Sequence, residues 1–182
     1  MSESHAGNTV FFDVETQYLA DEVGGWNFIH RMKLAVAVSY STADGAFHWY
    51  TEETVNDLIA ELLAADLVVG YNVLRFDYTV LSAYTDQPLH QLPTVDLLAH
   101  LHRTLGFRLK LDNVAQATLG IGKTADGIQA VHWYRQGALD KVMAYCQQDV
   151  EVTRQIYEFG RERGYVQYRD KRWRLRRVPV RW

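Results

Sequence analysis

The sequence predicts one α/β domain: a mixed β-sheet, antiparallel through its first three strands and parallel after them, flanked by helices. Three observations predict it. The chain has 182 residues and is 48% hydrophobic, which is enough for one domain with a proper core. Its first 51 residues hold three strand-like segments. From residue 52 onwards, strand-like and helical patterns alternate.

Residues 9–14, TVFFDV, are apolar, aromatic and β-branched, and read as the first strand. Residues 15–33 contain Gly24-Gly25 and little periodicity, and read as a long loop. Residues 34–40, LAVAVSY, and 46–51, AFHWYT, are strands on either side of the turn signal Asp44-Gly45, so they pair antiparallel. From Glu52 to Ala65, Val55, Leu58, Ile59, Leu62 and Leu63 recur at helical spacing. Residues 67–70, LVVG, read as a short buried strand, and 76–84 as a helix. Thr94-Val95 makes a further short strand. Helices follow over 96–105, 112–119 and 139–163. The later strands require crossovers, hence parallel pairing and helices on both faces. The closing stretch of about 161–182 suggests a hairpin or an edge strand, since Pro179 excludes a central position.

The net charge of −3 conceals an asymmetry. Residues 161–182 carry nine Arg or Lys and two acids, whereas the other 160 residues carry ten bases and twenty acids. A basic tail on an acidic body suggests a polyanionic partner near the tail and cations near the body. A solvated tail on an ordinary surface is the plainer alternative. No apolar run approaches 18 residues, so no membrane partner is expected. The opening MSESHAGNTV lacks the charge and apolar core of a signal peptide. Cys146 has no internal cysteine to pair with, which fits a reducing, cytoplasmic setting. The seven histidines form no zinc pattern. Gly120-Ile-Gly122-Lys123-Thr124 lacks the first glycine of a phosphate loop and reads as a turn.

Three elements carry chemistry. Asp13 and Glu15 end the first strand, and alternation turns both to one face. Two acids at the end of an apolar strand need compensation, and Mg²⁺ or Mn²⁺ prefers such oxygen ligands. Next comes Asn72-x3-Phe76-Asp77, after the buried strand LVVG and at a helix start. Last is Tyr145-x3-Asp149, with i and i+4 on one helical face. Each has a plain reading alone: a strand-end pair, a capping acid, a half-buried tyrosine above a solvated aspartate. Their joint order and placement favour the chemical one.

The three elements together resemble the DEDD superfamily of 3′–5′ exonucleases on the ribonuclease H-like fold, over about residues 9–158. Tyr145 stands where the tyrosine subclass has it, and Ala144 where the histidine subclass has histidine. Residues 11–40 with the closing VPVRW also look like a bacterial ribonuclease H-like family found with helicases. The resemblance implies two-metal hydrolysis of phosphodiesters in single-stranded DNA or RNA with a 3′ end, using two Mg²⁺ or Mn²⁺ ions. Asp13 would bridge the ions, Glu15 and Asp149 would complete one site, and Asp77 would support the other. Tyr145 would orient the attacking water.

Phe76 would stack on a terminal base or belong to the core. Trp26 and Phe28 would line the substrate groove or pack inside. Asn72 would assist substrate binding. Arg75, Arg108, Lys110 and Lys123 are candidates for phosphate contact, and the basic tail is a better one. The tail could equally be a charge-protected sheet edge. Two other functions fit the same residues: a weakly active nucleic-acid-binding or helicase-associated module, and a structure-specific endonuclease.

Overall fold

The computed structural model describes residues 7–122 and 125–182. Lys123 and Thr124, with the end of the turn expected there, lie outside the described residues, as do residues 1–6.

The central sheet has the order β3-β2-β1-β4-β5. It is built from β1 (Thr9–Thr16), β2 (Leu34–Ser41), β3 (Ala46–Thr51), β4 (Leu67–Gly70) and β5 (Thr94–Asp96). β1 pairs antiparallel with β2 and β2 with β3, while β1–β4 and β4–β5 are parallel. This is the mixed sheet that the strand pattern predicts. The helices are α1 (Val55–Ala64), α2 (Asp77–Leu81), α3 (Leu97–Leu105), α4 (Leu111–Leu119), α5 (Gly127–Arg135) and α6 (Leu139–Arg163).

Alternation along the strands divides the core in two. Phe11, Val36, Val38 and Val69 face one cluster, with Val142, Cys146, Val150 and Ile156 of α6. Val10, Phe12, Val14, Ala37 and Val68 face the other, with Leu58 and Leu62 of α1 and Val80 and Leu81 of α2. Since Phe11 lies on the α6 side, the period of two brings Asp13 and Glu15 to that side as well.

Four sequence expectations need correction. The 15–33 segment is not featureless, because it holds 3-10 turns at Ala20–Val23 and Trp26–Arg31. The first α-helix begins at Val55, after a 3-10 turn over Glu52–Thr54. The helix expected over 76–84 is regular only at Asp77–Leu81. Helix α5 has no counterpart among the helices that the sequence pattern predicts. Its Asp126 cap accepts from the Gln129 N–H at 3.0 Å, and Ala130 and Val131 are buried.

The basic tail folds as a hairpin of its own. β6 (Tyr165–Arg169) and β7 (Leu175–Pro179) form a separate two-stranded sheet, with Pro179 at its open end. Val166, Tyr168, Val178 and Val180 are buried in the α6-side core. Trp182 stacks on Tyr157 at 6.3 Å, and its Nε1–H donates to the Tyr157 carbonyl at 2.9 Å. Gly160 leaves the room for it, since a Cβ there would lie 2.4 Å from the Trp182 ring. The tail is therefore part of the globule rather than a detachable arm.

Candidate metal centre and cleft

The parallel ladder explains the position of the site. β4 stays in register with β1 only as far as Phe11↔Val69. After Gly70 the chain turns away. A Cβ on Gly70 would lie 2.1 Å from Val73 Cγ1 and 3.2 Å from the Phe12 carbonyl, so the sharp exit needs glycine. Asn72 then takes φ 70°, the left-handed region. The rest of β1 has no β4 partner, and this is where Asp13 and Glu15 lie. Asp77 supplies a replacement acceptor, its Oδ1 taking the Val14 N–H at 3.0 Å. A buried N–H without a partner would cost about 1–3 kcal/mol. The site thus opens beyond the carboxyl ends of the parallel strands, where open α/β sheets form their crevices.

One oxygen each from Asp13, Glu15 and Asp149 lies within 4.8 Å of the other two. Glu15 and Asp77 are buried, while Asp13 and Asp149 are partly so. The Tyr145 hydroxyl lies beside the Asp149 carboxylate. Trp133 of α5 meets the Tyr145 ring edge-on at 6.4 Å. The Cys146 thiol donates to the Asp13 carbonyl at 3.3 Å and lies 3.6 Å from Asp13 Oδ2.

Such crowding disfavours negative charge. Burial first, then Asp77, Glu15 and Asp149, raises the Asp13 carboxyl well above the ordinary range. Burial and then the charges of Asp149 and Asp77 do the same to Glu15. Burial lifts Asp77 to about 8, although the Val14 N–H opposes this. Burial lifts Asp149 to about 7 against the opposing effect of the Tyr145 hydroxyl. Tyr145 is pushed upward by burial and the neighbouring carboxylates, so it remains a phenol. Burial likewise raises the Cys146 thiol, which excludes a ready thiolate.

The centre lies in a cleft of about 570 Å³. Asp13, Glu15, Asp77, Tyr145 and Asp149 line it, together with Trp26 and Phe76. Trp26 is 60% exposed and its ring lies 6.5 Å from that of Phe76. The other sequence candidates are placed elsewhere. Phe28 lies beneath the Arg31 guanidinium, 4.4 Å from it, at the Gly24 turn. Asn72 gives its N–H to Asp96 and accepts from Arg108 through Oδ1 at 2.7 Å. Lys110 lines the cleft, whereas Arg75 and Arg108 are exposed and absent from its lining.

Sequence reasoning missed two contributors. Asp96 accepts from the N–H groups of Asn72, Leu74 and Ala99, at 2.8, 3.1 and 3.1 Å, and so fixes the loop that delivers Asp77. Its place before α3 signals a cap but not the bonds across to the 72–74 loop. Trp133 was missed along with α5.

The donor set suits a hard divalent cation: three carboxylate oxygens in reach of one point, with a fourth acid adjacent. Among the described lining residues seven are acidic and one, Lys110, is basic. Without cations this lining repels a phosphodiester.

The fold has counterparts. The family B DNA polymerase from the hyperthermophilic archaeon Pyrobaculum calidifontis is similar in structure, with a TM-score of 0.65 and 17% identity, over 85% of this chain and 24% of the polymerase chain. This chain therefore spans about a quarter of that protein's length. No curated protein matches the sequence. The family model for the RNase_H superfamily matches residues 10–159, and the chain belongs to that superfamily.

Proposed function

We propose that the protein is a metal-dependent 3′–5′ exonuclease of the tyrosine subclass, acting on single-stranded DNA or RNA. One observation carries this reading: Asp13, Glu15 and Asp149 converge within 4.8 Å, with Tyr145 beside them in the same cleft. Membership of the RNase_H superfamily supports a phosphodiester hydrolase.

Asp13, Glu15 and Asp149 would hold Mg²⁺ or Mn²⁺, with Asp77 supporting a second ion. Bound cations would neutralise the carboxylates, screen the incoming phosphate and acidify water. The chain's own groups do the positioning. Tyr145 stays protonated and aims its hydroxyl, so it orients water instead of removing a proton. Trp26 and Phe76 offer apolar faces to a terminal base, a contact tolerant of sequence. Asn72 acts at one remove, through its hydrogen bonds to Asp96 and Arg108. Phe28 supports the turn that carries Trp26. A helicase partner would supply the single strand.

Strands labelled at either end, incubated with Mn²⁺, Mg²⁺ or EDTA, test this. The reading requires stepwise shortening from the 3′ end with metal and none in EDTA. Cuts in a circular single strand would indicate an endonuclease, and binding without turnover under either metal would reduce the protein to a binding module.

A further inference from the structure

We propose that the tip of the β6–β7 hairpin is a docking surface for single-stranded polynucleotide, continuing a track that leaves the cleft past Lys110. The inference rests on the nucleic-acid reading of the cleft and extends it to the substrate's distal portion.

The hairpin's position comes from α4. Thr118 hydrogen-bonds with both the N–H and the carbonyl of Gln167, at 2.9 and 3.0 Å. Asn113, one turn nearer the helix start, does the same with Arg169 at 2.7 and 3.0 Å. β6 therefore runs alongside α4 towards its N-terminal end. Lys110, Leu111 and Asp112 line the cleft at that end. The turn at residues 170–174 consequently lies at the cleft side of the molecule. Phe107, 47% exposed, meets Tyr168 edge-on at 5.9 Å and extends the surface between Arg108 and the hairpin.

The tip is organised to present charge and a ring. Asp170 accepts the N–H groups of Arg172 and Arg174 and pairs with the side chains of Arg174 and Arg176 at 3.2 and 3.0 Å. Those two arginines are occupied in holding the turn. Lys171 and Arg172 are exposed, and among the described residues no carboxylate pairs with either side chain. Trp173 is 73% exposed, the most of the large hydrophobics. Its φ is 60°, a conformation that suits glycine, and the Trp173 carbonyl accepts from Arg169 Nη1 at 3.1 Å. Glycine would serve the backbone better, and burial gives no reason for tryptophan. An outward aromatic beside two unspent cations, Lys171 and Arg172, matches the requirements of a strand: phosphate neutralisation and a face for a base.

The test is fluorescence anisotropy in EDTA with labelled dT20 and rU20, across a salt series. Trp173→Gly should weaken binding about tenfold while leaving thermal stability equal or higher, since it relieves the left-handed strain. Lys171→Ala/Arg172→Ala should reduce the slope of log K against log salt by about 1.4, the value for two single-strand phosphate contacts. Whichever strand responds identifies the sugar. Unchanged affinity and slope for both strands in folded variants would overturn the proposal. So would a loss seen only when a labelled duplex replaces the single strands. Binding is read without turnover, so failure of the exonuclease reading, seen as no hydrolysis by the wild-type protein with Mn²⁺, is distinguishable from failure here.

Discussion

Replacing Asp77 with asparagine should stabilise the metal-free protein at alkaline pH. The carboxyl is 1% exposed, and burial lifts it from 3.8 to about 8. The folded protein therefore retains a proton that the unfolded chain releases. Stability from this group is complete below about pH 4 and is lost as pH rises through 8. A tenfold change in proton affinity is about 1.4 kcal/mol, which sets a ceiling of roughly 6 kcal/mol at pH 9. Relaxation and water entry reduce this, and about 2 kcal/mol is the expected gain. The substituted asparagine keeps an Oδ1 acceptor for the Val14 N–H, so the hydrogen bond at 3.0 Å survives while the charge goes. The substitution also relieves Asp13, which Asp77 helps to raise. Urea unfolding in EDTA at pH 5 and pH 9 measures the effect. The wild-type protein should lose about 2 kcal/mol more than Asp77→Asn between the two. Added Mn²⁺ at a hundred times its Kd should return about 2.7 kcal/mol to the wild-type protein. Parallel pH profiles for the two proteins would refute the electrostatic argument.

Three further outcomes follow from the same structure. Gly160→Ala places a Cβ 2.4 Å from the Trp182 ring and 2.9 Å from Val180 Cγ2, and should cost about 1–3 kcal/mol in a denaturant titration. His48 is held above its usual value, chiefly by Glu61, at 2.9 Å, and also by Asp44, at 2.8 Å. Its contribution is present below about pH 6.5 and fades as pH rises; with the side chain 35% exposed, His48→Gln should remove no more than about 1 kcal/mol of it, read by thermal melts at pH 5.5 and 8.5. Tyr145→Phe should lower kcat about tenfold with KM unchanged, less than the 10²-fold or more typical of lost proton transfer. A larger fall that tracks pH would make the phenol a proton carrier.

The sequence carried the site's two principal supports. β1 was legible because two residues per repeat and the apolar TVFFDV leave no other regular reading. Tyr145 and Asp149 were legible as neighbours because a 25-residue helix carries them at i and i+4. Helix α5 was not, since Gly127 opens it and His132, Trp133 and Tyr134 fill it, all indifferent helix formers. Ala130 and Val131 hold it through tertiary burial, which no local pattern records. Asp96 was hidden for a similar reason: two of its three hydrogen bonds reach back more than twenty residues. The tail's apolar alternation suggested a hairpin or an edge strand, and its seat on α4 and α6 depends on Asn113, Thr118 and the gap at Gly160.

Cations held by the Asp13 cluster are what would make this protein a 3′–5′ exonuclease. The most direct test is a 5′-labelled single strand digested by the wild-type protein and by Asp13→Asn, side by side with Mn²⁺. The wild-type protein should give a ladder shortening from the 3′ end, and a folded Asp13→Asn should leave the strand intact. A folded Asp13→Asn that yields the same ladder at the same rate would contradict the assignment.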